Sequence, residues 1–176
     1  MIIKPYQGKT PRIDPTAFVA ETAVIIGDVE IGPRANIWYG VVIRGDINHI
    51  RIGAETNIQE NTVIHVDFND RGLGDCATII GERVTVGHGA ILHGCQIADD
   101  CLIGMGATVL SGAKIGAGSV VAAGALVREG QQIPERSLAM GMPAEVKRQL
   151  PQEAVEKIRQ SAASYVELAA QHKNRS

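Results

Sequence analysis

Aliphatic side chains recur at every sixth residue through most of this chain. Ile13, Val19, Ile25, Ile31, Ile37 and Ile43 form one unbroken run. A second run, Ile52, Ile58 and Ile64, restarts after an offset at residues 47–51. Ile80, Val86 and Leu92 follow an irregular stretch, 66–79. Ile97, Ile103, Val109, Ile115, Val121, Val127 and Ile133 complete the series. Four residues past the aliphatic position the chain is often small, as at Ala17, Ala35, Ala90, Ala113 and Ser119, and Gly often follows it directly, as in Ile31-Gly32 and Ile103-Gly104. A six-residue unit with one inward aliphatic and one small corner residue reads as a short strand plus a tight turn. Three units close a triangular coil, and stacked coils pair their backbones in parallel. A β-sandwich would instead alternate at period two along longer strands.

The repeat resembles the hexapeptide-repeat left-handed parallel β-helix family over residues 13–133, an exception to the usual right-handed crossover. The expected fold class is therefore mainly β, with a β-helix domain over 1–150 that includes a lead-in and an exit turn. The stretch 139–144 resembles the turn by which such proteins leave the β-helix. From Pro151 the period changes: Val155, Ile158, Ala162, Tyr165 and Ala169 recur at helical spacing with charges between them. Residues 151–176 are expected to form one amphipathic C-terminal helix and a polar tail of the same domain, lying on the prism's side or on a neighbouring subunit.

Composition sharpens this picture. Among 176 residues only 3% are aromatic while 20 are Gly, so a core must be filled by aliphatic side chains in narrow layers. The net charge of -2 is made of scattered basic and acidic residues, which excludes the electrostatic footprint of a nucleic-acid or anionic-lipid binder. No apolar run approaches the roughly 20 residues of a membrane helix. The start, Met1-Ile2-Ile3-Lys4-Pro5, lacks a signal-peptide apolar region, and three cysteines without framework spacing suit a reducing compartment. The expected location is the cytoplasm.

Three of the five histidines, His65, His88 and His93, fall within residues 62–95. Neutral imidazoles bind zinc, and three of them with one open position make a hydrolytic site. His65 and His93 each directly follow the third aliphatic residue of a coil, so they should stack one coil apart at about 4.8 Å between backbones. His88 lies two residues past Val86 on the preceding unit and should point around a different corner. One chain then offers two ligands at one edge and one at another, and threefold symmetry joins them at three interfaces. His49 and His172 have no such placement. Cys95 reads as a buried or interface thiol rather than a ligand.

Arg44-Gly45-Asp46, Asn57-Ile58-Gln59-Glu60, Val86-Gly87-His88 and Leu92-His93-Gly94-Cys95 together resemble the motif set of the γ-class carbonic anhydrases over almost the whole chain. That resemblance implies a homotrimer with zinc, or alternatively iron or cobalt, held by His65 and His93 of one subunit and His88 of the next. It implies reversible hydration of carbon dioxide by a zinc-bound hydroxide, since zinc lowers the pKa of bound water to about 7. Gln59 would orient the water with Asn57 in the same hydrogen-bond set, Arg44 and Asp46 would form interface ion pairs, and Glu60 stands where the family usually carries Asp. Tyr165 either reaches the site or packs in the core.

The chain departs from the archaeal form of the family where that form has a glutamate after the Asp of Arg-x-Asp. Ile47 stands there, and the 66–79 loop carries Asp67, Asp70 and Asp75 but no glutamate. Many family members of this short-loop kind show weak or no hydration, and the resemblance carries that expectation to this chain. Two alternatives remain: an acyl-CoA thioesterase or acyltransferase of the hexapeptide-repeat superfamily, with one histidine as general base, and a non-catalytic trimer held together by zinc.

Overall fold

The computed structural model describes residues 1–173. Short strands stack in three flat faces, and the six-residue step is the reason. Each strand aims one aliphatic residue inward, and the next coil repeats it in register. On the first face Ile13 pairs with Ile31, then Ile52, Ile80, Ile97, Ile115 and Ile133. On the second Val19 is followed by Ile37, Ile58, Val86, Ile103, Val121 and Ala139. On the third Ile25 leads to Ile43, Ile64, Leu92, Val109 and Val127. All of these pairings are parallel. The architecture is the parallel β-helix of the left-handed hexapeptide-repeat class, and its core is the three inner ladders, in which nearly every member is fully buried.

The two strands Val24–Ile31 and Val42–Ile52 run continuously around the corner between the third face and the first, joining these into one sheet. Gly27 pairs with Gly45 but Val29 pairs with Ile50, so residues 46–49 bulge outward opposite Asp28. This bulge is the offset seen in the hydrophobic period. Gly27 has φ +80°, and a Cβ there would lie 2.2 Å from the Gly45 carbonyl oxygen, so only Gly permits this close pairing. The second interruption, 66–79, leaves the third face and folds back along the same corner, where Leu73 packs beside Gly112 and Gly130.

Two elements extend the expected plan. Ile2–Lys4 adds a strand to Val24–Ile26. The exit turn joins Ser137–Met140 to an antiparallel partner, Glu145–Gln149, whose exposed side chains gave no inward periodic signal.

The helix, α1, spans Gln152–Lys173 directly after Pro151 and lies across the second face, burying Val155, Ile158, Ala162 and Ala169. Buried Asp100 holds it by accepting 2.8 Å hydrogen bonds from Arg159 of the helix and Arg83 of the β-helix. At the far end Trp38 is ringed by Phe18, Tyr165 and His172 at 5.3, 5.8 and 5.1 Å between centroids. His172, without a placement in the sequence pattern, is thus part of the helix's aromatic dock. No helix among the described residues is long and apolar enough to cross a membrane.

Burial pushes the Asp100 carboxyl up, but hydrogen bonds from Arg159 and Arg83 outweigh this and hold it below the ordinary carboxylate range. A depressed native value stabilises the fold above the ordinary carboxylate pKa, and that contribution disappears as pH falls through the native one. The urea midpoint of the wild type should therefore fall more steeply below about pH 4 than that of Asp100→Asn. Parallel slopes for the two proteins would show that this ion triad does not anchor the helix.

Candidate metal centre

His65 and His93 end the strands Val63–His65 and Ile91–His93 on the third face, and the register places them directly opposite each other. Their rings come together edge-on, 5.1 Å between centroids, with His65 Nδ1 3.1 Å from His93 Nε2. The outer nitrogens are also engaged. His65 Nε2 lies 3.0 Å from Asp46 Oδ1, and His93 Nδ1 lies 2.9 Å from Ser111 Oγ. A carboxylate only accepts, so Asp46 requires His65 Nε2 to carry the proton and leaves Nδ1 as a lone pair facing His93.

This pair fits a metal. Zinc–nitrogen bonds of about 2.0–2.1 Å at a tetrahedral angle set two ligand nitrogens about 3.3 Å apart, close to the 3.1 Å observed. A carboxylate on the outer nitrogen is the usual support of a ligating imidazole. Burial raises the Asp46 carboxyl, yet hydrogen bonds from His65 and Arg44 bring it below its ordinary value, so it is ionised at neutral pH. The outward bulge at 46–49 is what places Asp46 beside His65. Arg44 pairs with Asp46 within the chain and keeps much of its guanidinium exposed. Asn48 of the same bulge donates to the Asp67 carbonyl and to Asn69 Oδ1, tying bulge and loop together around the pair.

The other predicted residues gather at the opposite long edge of the third face. His88 follows Thr85–Val86 of the second face, is exposed, and has Nδ1 2.6 Å from Glu60 Oε2. Gln59 and Asn57 are buried beside it. Asn57 Nδ2 donates to Thr85 Oγ1 at 2.8 Å, which turns its carbonyl toward Gln59 Nε2 at 3.1 Å. Tyr165 packs edge-on against Trp38, and burial, with the charge of Glu60 nearby, pushes its phenol up. It thus packs in the aromatic dock of the helix, within electrostatic range of Glu60. Among the described residues of one chain, no three His, Cys, Asp or Glu side chains stand together around one point. The residues form two separate groups, one at each edge of the face.

Cys95 lies wholly inside the core, where burial pushes its thiol up to about 12 and leaves it inert. Ser111 belongs to the His93 group although the hexapeptide pattern marks it only as a residue near a corner. Its signal was available in the count, since it lies one coil beyond Gly94 at the same corner.

Comparison with known proteins shows the family. The family described as bacterial transferase hexapeptide (six repeats) matches residues 94–129. A Methanocaldococcus jannaschii protein named probable carbonic anhydrase is 51% identical over 86% of this chain and 91% of its own length. The mitochondrial gamma carbonic anhydrase 2 of Arabidopsis thaliana is 45% identical over 93% of this chain, which spans 59% of that relative. A solved structure described as a putative acetyltransferase of Bacillus cereus superposes with a TM-score of 0.93 at 39% identity, covering 99% of this chain and 98% of the other. The chain belongs to the γ-carbonic anhydrase-like family of hexapeptide-repeat proteins.

Asp46→Asn keeps the shape of the side chain but lets an amide N–H face His65. Metal affinity, measured by competition with a chromophoric chelator, should fall about 10–100-fold. Unchanged affinity would mean that Asp46 does not support a ligand.

Proposed function

We propose that this chain assembles as a homotrimer with a divalent ion between subunits, zinc first and iron or cobalt as alternatives, and hydrates carbon dioxide reversibly to bicarbonate. The observation that carries this reading is the His65–His93 pair, whose facing nitrogens stand 3.1 Å apart while the outer ones are held by Asp46 and Ser111. The names of the Methanocaldococcus and Arabidopsis relatives support the same chemistry.

The third face supports the assembly. Its outer ladder reads Val24, Val42, Val63, Ile91, Thr108 and Leu126, with Val63 and Ile91 exposed at 40% and 44%. An apolar stripe of this kind is suited to burial against a second copy. The two half-sites flank it on opposite edges, so a head-to-tail contact closing as a three-membered ring sets His65 and His93 beside His88 of the next subunit at each interface. Arg44, Asp46 and Glu60 then carry the ion pairs of the seam.

A divalent ion bound there supplies a Lewis acid strong enough to ionise water near neutral pH. The chain's own residues do the remaining work. Asp46 and Ser111 orient the two ligands, and Glu60 orients His88 by accepting its Nδ1–H. Gln59, held by Asn57, orients the attacking water. Hydration of carbon dioxide forms one C–O bond and releases one proton, and the carboxylate beside His88 is Glu60. The cytoplasm suits three buried cysteines that no disulfide joins.

One observation favours a second reading. An exposed histidine with a carboxylate on Nδ1, as His88 has in Glu60, is also the arrangement of a general base. It would serve acyl transfer or cleavage of a thioester such as acyl-CoA, and the Bacillus cereus neighbour's description points the same way. A trimer stapled by zinc without catalysis is the third reading, in which chelation dissociates subunits and abolishes no turnover.

The site shared between subunits is testable by complementation. His88→Ala and His93→Ala homotrimers should each be inactive in carbon dioxide hydration. Random mixed trimers should regain about one quarter of wild-type activity, since every 2:1 hybrid contains one intact interface. No recovery in confirmed hybrids, or wild-type trimer purified without metal, would overturn the proposal. Metal-independent turnover of acyl-CoA would favour the second reading.

A further inference from the structure

The second ligand, His93, is supported differently from the first. Its outer nitrogen meets a hydroxyl, that of Ser111. Ser111 Oγ lies 2.9 Å from His93 Nδ1 on one side and 2.8 Å from Asp67 Oδ2 on the other. Ser111 is 2% exposed and Asp67 8%, so the chain of contacts runs through a region closed to solvent. Asp67 comes from the first residues of the 66–79 loop, and Asn48 of the bulge binds its carbonyl. Space is tight around the relay: at Gly94, with φ +57°, an added Cβ would lie 3.0 Å from Ser111 Oγ and 3.3 Å from Asp67 Cβ.

Resting on the metal reading above, we propose that Asp67, acting through Ser111, is the positioning residue that makes His93 a metal ligand. Asp67 accepts on both oxygens, from the Phe68 amide and from Ser111, so the single Ser111 hydroxyl proton is donated to Asp67 Oδ2. The hydroxyl oxygen must then accept from His93, which places the imidazole proton on Nδ1 and leaves Nε2 as a lone pair. Asp46 imposes the complementary tautomer on His65. Two lone pairs of neutral rings therefore face each other across 3.1 Å, a contact that a bound cation turns from repulsive to favourable. The irregular loop that breaks the hexapeptide period has this specific purpose at its start. It delivers a second anionic support to the ion, relayed by one hydroxyl, where the bulge delivers the first directly. In a buried site each link polarises the next.

Asp67→Asn tests the relay because the amide reverses it. The Phe68 amide donates to Asp67 Oδ1 at 2.9 Å, so an Asn carbonyl stays with Phe68 and its NH2 faces Ser111. The hydroxyl would then donate to His93 Nδ1, and the ring proton would move to Nε2. In metal-free protein labelled with 15N-histidine, two-bond ring couplings should report Nδ1–H for His93 in the wild type and Nε2–H in Asp67→Asn. Zinc affinity by chelator competition should fall about 10–100-fold in Asp67→Asn and in Ser111→Ala, with the melting temperature and the subunit assembly as controls on folding. Wild type that binds zinc, with tautomer and affinity unchanged in Asp67→Asn, would overturn this proposal alone. Wild type that shows the Nδ1–H tautomer yet binds no zinc would overturn the metal reading, and the proposal with it.

Discussion

Backbone hydrogen bonding between successive coils sets every other distance in this protein. Each strand donates to the coil beyond it, so a residue's neighbours are those one coil away, whatever their separation in the chain. Ile64 meets Leu92 and His65 meets His93 because the rungs match, although 66–79 intervenes. The ladder tolerates such insertions because they leave at a corner, where the backbone has already turned away from its partner. Function is accommodated in the same way. The bulge at 46–49 and the loop at 66–79 are the two places where the six-residue period fails, and both deliver a carboxylate to the histidine pair.

The result is a rigid platform carrying an incomplete site. Stacking fixes the two ligand backbones, and buried outer partners fix the ring orientations. Neither half-site can reach the other, since they stand on opposite edges of one face. In the proposed trimer, division of this kind couples metal binding to assembly: the ligand set is complete only when edges meet. It also gives the exposed apolar ladder of the third face a reason to persist in a protein with an otherwise ordinary surface.

How much of this could be read beforehand differs residue by residue. The stacking of His65 over His93 and the separation of His88 follow from counting in sixes. The packing of α1 through Val155, Ile158, Ala162 and Ala169 follows from helical spacing. The contact of Ser111 with Asp67 escaped because 44 positions separate them and a fold-back unrelated to the period brings them together. The antiparallel strand Glu145–Gln149 escaped because it buries nothing periodic. His172 escaped because its partners, Trp38 and Phe18, belong to the first coils and meet it only once the helix runs back across the second face.

By itself the sequence determined the coil, the face each residue occupies and the stacking of like positions, because a repeat with nearest-neighbour pairing makes geometry a matter of counting. Only the tertiary structure decided which nitrogen of each imidazole faces the other. That depends on where the two interruptions place Asp46 and Asp67, and an excursion from the repeat has no period from which its end point can be counted.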